Sequence, residues 1–245
     1  MSALALRIIA CVAMLLDHIG YTFYIEPLRI VGRIAFPIFV YLIYNGYRHT
    51  KSPVKYALRL GLFALISQIP FALFCGYTDV FRSGNVFMTL LMALLCIWAA
   101  DVLAKRTVTR WACLLPALAV CCGYYFGILK SDYGAKGILM AMVFWLLDGN
   151  AVWKRILTCV LVLCAVYYDP ILGLGLNLVR GNGIAFSLTD WEKTQAWSLL
   201  GLLFIFAYNG KKGKMPGGKV GAKIAQYGFY LFYPVHMLVL WFVSK

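Results

Sequence analysis

Long apolar runs recur along the whole chain, and they restrict its possible folds more than any other feature of the sequence. Segments such as 86–100 and 156–166 are apolar on all sides, whereas a surface helix of a soluble domain keeps a polar face. Runs of about 17–22 residues are long enough to cross the hydrocarbon core of a bilayer. With 63% hydrophobic and 13% charged residues, the chain is expected to be an all-α, polytopic integral membrane protein.

The apolar runs predict about nine transmembrane helices in a single domain, 1–245. The first run carries Asp17 and His18 and lacks a small-x-small cleavage pattern, so we interpret it as a membrane helix and not as a signal peptide. The predicted helices lie near residues 3–23, 29–47, 55–75, 85–103, 111–129, 134–149, 155–176, 194–209 and 224–243.

Basic residues are concentrated in alternate connections between the predicted helices. Most of the 23 lysines and arginines fall beside the second, fourth, sixth and eighth connections, with Arg7 near the start of the first helix. The positive-inside rule places this side, and the N-terminus, in the cytoplasm. The net charge of +14 is therefore attributed to topology in a lipid bilayer, and no nucleic-acid partner is expected. The eight cysteines contain no C-x-x-C pair, so no metal site is expected.

Ionisable residues inside the first two predicted helices indicate a functional site, because such residues are costly in a membrane. His18 follows Arg7 by 11 residues, which is roughly 16 Å along a helix axis and nearly the same face. Asp17 faces another direction, since adjacent helical residues do not face each other. It can orient His18 from a distance or bind Arg29 or Arg33.

Arg29 and Arg33 share a helix face and need anionic or carbonyl partners. Ligand binding and a buried ion-pair network are both open interpretations. His236 lies near the middle of the last helix, just after Pro234, and packing between helices is its favoured role. A mid-membrane histidine above a basic mouth suits a ligand with an anionic head and a reactive end, as in an acyl-CoA. These residues alone do not exclude a proton-coupled transporter.

The sequence resembles the TraX family of membrane proteins along most of its length. Two motifs carry the resemblance most specifically: Met14-Leu-Leu-Asp-His-Ile-Gly20 and Leu28-Arg-Ile-Val-Gly-Arg-Ile-Ala-Phe-Pro-Ile-Phe39. Further matching motifs follow in the expected order, at residues 44–50, 67–71, 85–90, 132–134, 208–211 and 230–236. The family is named for a protein that acetylates the N-terminus of pilin, and it is similar to transmembrane acyltransferases that use a membrane histidine as base.

The resemblance implies an acetyl-CoA-dependent O- or N-acetyltransferase in the cytoplasmic membrane, with the whole chain as one acyltransferase-like domain. His18 is then the catalytic base, with Asp17 beside it. Basic residues near the cytoplasm are expected to bind the CoA phosphates, and the first choices are Arg7, Arg48, Lys55 and Arg59. Candidates for stabilising the oxyanion, or for binding or supporting the substrate, are Arg29, Arg33, Asn85, Tyr233 and His236.

The acceptor is expected on the far side of the membrane and is a peptide, pilin or glycan carrying an amine or hydroxyl. The connection at 177–193 is polar and aromatic, and its part near Gly181 to Trp191 is the expected acceptor platform. Two other functions remain open. One is a transporter or flippase that binds an anionic substrate at Arg29 and Arg33, and the other is a non-catalytic assembly factor for surface fibres.

Overall fold

The computed structural model describes residues 1–106, 110–181, 188–214 and 218–245. Within these ranges the regular secondary structure is helical, apart from one isolated β-bridge between Gly84 and Ser131. Two short 3-10 helices lie at Arg110–Leu114 and Ala196–Leu199. The α-helices are α1 (Ala3–Thr22), α2 (Glu26–Gly32), α3 (Ala35–His49), α4 (Pro53–Phe74), α5 (Val86–Arg106), α6 (Leu115–Tyr125), α7 (Gly134–Leu146), α8 (Val152–Val166), α9 (Tyr168–Val179), α10 (Asp190–Gln195), α11 (Leu200–Phe206) and α12 (Gly218–Val243).

The chain is a helical membrane protein, but the prediction of about nine full spans is wrong for the described residues. Four helical segments there are long and apolar enough to cross a bilayer: α1, α2 with α3, α4, and Val86–Lys105 of α5. The pair of α8 and α9 would make a fifth span if counted as one helix, although it bends by 71°. Helix α12 has a suitable length of 26 residues but is not among the four.

Breaks in the second half of the chain account for the difference from the prediction. The predicted helix 111–129 is a 3-10 turn followed by the 11 residues of α6, with Pro116 in its first turn. The predicted helix 194–209 consists of short pieces, of which α11 has 7 residues. Hydropathy detects apolar segments, but it does not detect the places where an apolar segment changes direction.

One break shapes the candidate site. The second predicted helix is divided at Arg33 and Ile34 into α2 and α3. Pro37 lies four residues after Arg33 and has no N–H to donate to the Arg33 carbonyl, so the regular hydrogen-bond ladder stops there. Arg33 is consequently placed at the end of α2, where its side chain points into the bundle and the whole residue is 4% exposed.

The ends of the long helices form two layers on opposite sides of the bundle, which we call the basic end and the opposite end. At the basic end, the amide of Ala3 donates to the Lys211 carbonyl at 2.8 Å, and the Tyr47 hydroxyl donates to Asp101 at 3.0 Å. At the opposite end, the Gln68 amide donates to the carbonyls of Val80 and Ser83 at 2.6 and 2.8 Å. The long helices run between these two layers, as expected for membrane spans.

Apolar side chains on the outside of the bundle fit contact with lipid. Helix α4 exposes Leu58, Leu62, Leu65 and Ile69 at between 55% and 69%. An exposed apolar surface of this kind would be unfavourable in water and is favourable against lipid tails. The polar residues of α4, Ser67 and Gln68, are buried, so the polar side of this helix faces the other helices.

Gly32 allows α2 to approach α1 closely. A Cβ atom at this position would overlap the Cα and Cβ atoms of Asp17. The absence of a side chain therefore brings the arginines of α2 within reach of the Asp17 carboxylate. Helices in membranes commonly use small residues in this way, because close packing replaces the hydrophobic drive that water provides elsewhere.

We expect Gly32→Ala to destabilise the protein by about 1–3 kcal/mol, the usual effect of overpacking a tight contact. Gly61→Ala in α4 is the matched control, because its Cβ would meet only Leu91 at an ordinary 3.7 Å. The measurement is the unfolding of both variants in the same detergent. Equal stability of the two variants would show that α1 and α2 do not depend on this contact.

Candidate functional site

A chamber of about 230 Å³ lies inside the bundle and is lined by Asp17, His18, Arg29 and Arg33, the ionisable residues that the sequence placed inside the first two predicted helices. Asp17 and His18 enter it from α1, Arg33 from the end of α2, and Tyr233 from α12. Its apolar wall is formed by Phe36, Phe39, Phe71 and Phe74. We call this space the central chamber.

Asp17 is bound by the two arginines of α2. The Arg33 guanidinium donates directly to the Asp17 carboxylate, and Arg29 Nη1 lies 3.6 Å from the same oxygen, Oδ2. The other oxygen, Oδ1, and the Nε atom of Arg33 are buried without a hydrogen-bond partner in the described ranges. Both belong to residues lining the central chamber, so polar groups remain there for a ligand to satisfy.

His18 is held by a second histidine and not by Asp17. His18 Nδ1 lies 2.6 Å from His236 Nε2, and His236 Nδ1 lies 2.6 Å from the Phe232 carbonyl oxygen. The two rings are nearly parallel, at 12°, with centroids 4.9 Å apart. That centroid distance and the short N···N distance together describe rings meeting edge to edge, as a direct hydrogen bond requires.

For two neutral imidazoles, one arrangement of protons satisfies both hydrogen bonds. The Phe232 carbonyl can only accept, so His236 Nδ1 carries a proton and donates it. His236 Nε2 is then an acceptor, and His18 Nδ1 donates to it. The remaining ring nitrogen, His18 Nε2, is left with a free lone pair and has no protein partner among the described residues.

Asn85 and Tyr233, two other candidates for stabilising an oxyanion, differ in whether their polar groups are already engaged. The Asn85 side chain is fully occupied, since Nδ2 donates to Ala64 O and Gln68 Oε1, and Oδ1 accepts from the Phe87 amide. Asn85 is therefore a cap at the start of α5 and is absent from the chamber lining. The Tyr233 hydroxyl is buried without a partner of hydrogen-bond geometry in the described ranges, so it is available as a donor.

A basic cavity of about 540 Å³ adjoins the central chamber on the side of the basic end. Of the four residues predicted to bind CoA phosphates, Arg7 and Arg59 line it, while Arg48 and Lys55 do not. Arg48 forms an ion pair with Asp148 instead. Lys51 and Lys212 complete the basic lining, and neither was singled out from the sequence.

Aromatic rings hold Arg59 in the basic cavity. Its guanidinium carbon lies 5.2 Å from the Tyr56 ring centre and 5.5 Å from that of Tyr230, and its Nε donates to the Tyr230 hydroxyl at 3.2 Å. These contacts orient the charged group, and the side-chain oxygen of Gln226, once its amide is flipped, accepts from both terminal nitrogens at 3.1 Å.

An outer cavity of about 690 Å³ adjoins the chamber on the side of the opposite end. Its lining is rich in tyrosine and carries charges of both signs. Lys136 and Asp169 form an ion pair there at 2.7 Å. Asp132 faces both the outer cavity and the central chamber, and the surrounding protein raises the pKa of its carboxyl to about 6 by desolvation. The residues lining the cavity are Tyr77, Arg82, Ser83, Tyr124, Tyr125, Leu129, Lys130, Ser131, Asp132, Tyr133, Gly134, Ala135, Lys136, Tyr168, Asp169 and Glu192.

The connection at 177–193, with the expected acceptor platform near Gly181 to Trp191, is described only in part. Residues 182–187 lie outside the described ranges, and 168–179 belong to helix α9. Glu192 lines the outer cavity, so at least one residue of this connection reaches it.

The three spaces share walls. Met14, Phe39, Val86 and Tyr233 border both the basic cavity and the central chamber. Tyr77, Asp132 and Tyr133 border both the central chamber and the outer cavity. His18 and Asp17 therefore lie between two cavities of different character, one basic and one of mixed charge.

The fold and the site define a helical membrane protein with a buried pair of histidines between two cavities. Comparison with known proteins then identifies the family within this class. Residues 2–244 match the family model described as TraX protein, and the chain belongs to this family.

A curated relative from Dichelobacter nodosus is named probable fimbrial assembly protein FimC, serogroup H1. It is 29% identical over 255 residues, which cover 98% of this chain and 94% of the relative. No solved structure matches the chain.

We expect Arg33→Lys to be more damaging than Arg29→Lys. The Arg33 side chain is 5% exposed and donates directly to Asp17, whereas Arg29 is 23% exposed and lies farther away. Lysine keeps the charge but loses the planar fork, and a charge-assisted hydrogen bond of this kind contributes about 1.5–3 kcal/mol. Unfolding in detergent measures the difference. If both lysine variants match the native protein, the arginines only extend toward the membrane surface.

Proposed function

We propose that the protein is a membrane acetyltransferase that uses acetyl-CoA as its donor. The observation that carries this proposal is the position of His18, whose free ring nitrogen belongs to a chamber bordered by two separate cavities. One cavity supplies the positive charge that a CoA headgroup needs, and the other gives an acceptor its own route to the same histidine.

The basic cavity suits the donor. Its arginines and lysines would bind the phosphates of acetyl-CoA, and the tyrosines around Arg59 would pack against the rest of the headgroup. The pantetheine arm would then pass Phe39 and Tyr233 to bring the thioester into the central chamber. Since acetyl-CoA is a cytoplasmic metabolite, the basic end and the N-terminus are assigned to the cytoplasm, in agreement with the positive-inside rule.

His18 would act as a general base in the transfer. As the acceptor nitrogen or oxygen attacks the thioester carbonyl carbon, His18 Nε2 takes its proton. The Tyr233 hydroxyl would donate a hydrogen bond to the oxyanion that forms. When the carbon–sulfur bond breaks, the CoA sulfur takes the proton from His18 Nε2, and the histidine returns to its neutral form.

The outer cavity suits the acceptor, and Asp132 favours an amine. Its carboxylate lies where the outer cavity meets the central chamber, and it would attract a protonated amine and take one proton from it, which then passes to solvent. The neutral amine would attack the thioester, and its second proton would go to His18. The mixed charges and tyrosines of the cavity are compatible with a polypeptide. A relative named as a fimbrial assembly protein supports a surface-fibre subunit as that polypeptide.

We expect His18→Ala to lower acetyl transfer by about 10²–10⁴-fold, the usual effect of losing a general base, while the protein still folds. Val12→Ala is the matched control, because Val12 lies on the same helix with 52% exposure and lines none of the three cavities. The measurement is acceptor-dependent release of CoA by purified protein, with a peptide carrying a free N-terminus as acceptor and the same peptide with a blocked N-terminus as comparison.

The same assay separates the competing functions. Release of CoA that needs the free amine and His18 supports the acetyltransferase. Counterflow of an anionic substrate without CoA release would identify a transporter. If neither occurs, the protein assists fibre assembly without chemistry.

A further inference from the structure

His236 touches His18 but does not line the central chamber, the basic cavity or the outer cavity. It is 6% exposed and contacts His18 through its Nε2 atom. His18 lines the central chamber, so a substrate in that chamber meets His18 and not His236. Any influence of His236 on the reaction must act through His18.

The contacts of His236 hold its ring in one orientation, in which it can accept a hydrogen bond from His18. The ring lies 4.9 Å from Phe232 and 5.9 Å from Tyr233, measured between ring centroids. The Phe232 carbonyl oxygen accepts a hydrogen bond from His236 Nδ1 at 2.6 Å. Both the plane of the ring and the position of its proton are thus set before His18 is considered.

No carboxylate takes this role in the described part of the chain. Asp17 is the nearest acidic residue to His18 in sequence, but it is engaged by Arg33 and Arg29. A catalytic histidine that works through one nitrogen normally has its other nitrogen held by a carboxylate or a carbonyl, which selects the tautomer. Here a neutral imidazole occupies that position.

We infer that His236 is a positioning residue, which holds His18 in the tautomer that carries a proton on Nδ1 and leaves Nε2 free in the central chamber. The inference rests on the proposed function, and it assigns to His236 the orienting role that a carboxylate fills in a serine-protease triad. When His18 becomes charged during transfer, its Nδ1 proton stays in a hydrogen bond to His236 Nε2. The charge is stabilised there without movement of either ring.

A packing role for His236 makes different predictions. Phenylalanine would then replace it well, because its neighbours are aromatic. For a positioning residue, His236→Phe removes the acceptor of the His18 proton, whereas His236→Gln can place its side-chain oxygen close to the position of Nε2. Glutamine should therefore keep the hydrogen-bond acceptor for the His18 Nδ1 proton that phenylalanine removes.

The first readout is the tautomer itself, observed by NMR in full-length protein labelled with ¹⁵N-histidine in detergent. The chain has 3 histidines, so the signals can be assigned from single substitutions. We expect His18 to be protonated at Nδ1 in the native protein and in His236→Gln, and to show a mixture of tautomers in His236→Phe.

The second readout is kinetic. We expect His236→Phe to lower kcat by between about tenfold and about 10⁴-fold, the upper limit being the loss seen when a triad histidine is held in the wrong tautomer. The KM for acetyl-CoA should change little, because His236 does not reach the basic cavity. His236→Gln should recover much of kcat. Leu240→Ala, one turn further along α12 and 7% exposed, is the control for a packing defect.

The NMR result does not depend on acetyl transfer, so the two proposals can fail separately. A native protein without CoA release refutes the acetyltransferase, whatever the tautomer. A native His18 protonated at Nε2 overturns the role of His236. So does a His236→Phe protein that keeps the native tautomer and kcat, or that loses no more kcat than Leu240→Ala.

Discussion

The ion pair between Asp17 and the arginines of α2 is the interaction on which the site depends. A charge in the interior of a membrane protein needs a partner, because its desolvation is otherwise too costly. Asp17 shares one carboxylate oxygen with Arg33 and Arg29, and Gly32 provides the close approach that makes this possible. The pair fixes α1 against α2, and it removes Asp17 as a partner for its neighbour His18.

The histidine pair follows from that arrangement. Since the adjacent carboxylate is engaged, His18 obtains its hydrogen-bond partner from α12, through His236 and the Phe232 carbonyl. Two neutral rings in series introduce no further charge into the membrane interior, yet they specify which nitrogen of His18 is free. Tyr233, one turn from His236, places a hydroxyl in the same chamber. The chemistry proposed for the site therefore relies on α1 and α12 being held side by side.

The sequence allowed the class of fold and the main residues of the site to be predicted, because both follow from strong local signals. Apolar runs identified a helical membrane protein, and charged residues inside those runs identified Asp17, His18, Arg29 and Arg33. The described residues contain fewer full spans than the nine predicted, since hydropathy does not detect bends such as the one of 71° between α8 and α9. Asp132, Lys51 and Lys212 were missed as cavity residues because they lie in loops, whose position depends on tertiary packing. The contact between His18 and His236 joins residues 218 positions apart, and a single sequence carries no signal for such a pairing.

The proposed transfer places His18 between two cavities and draws its substrates from opposite faces of the membrane. The most direct measurement uses purified protein in vesicles sorted for a single orientation, with acetyl-CoA confined to one face and an acceptor peptide to the other. Acetylated peptide should form only when acetyl-CoA meets the face that carries Arg7 and Arg59. Equal rates with both substrates confined to that face, or product formed from acetyl-CoA at the opposite face, would contradict transfer across the membrane.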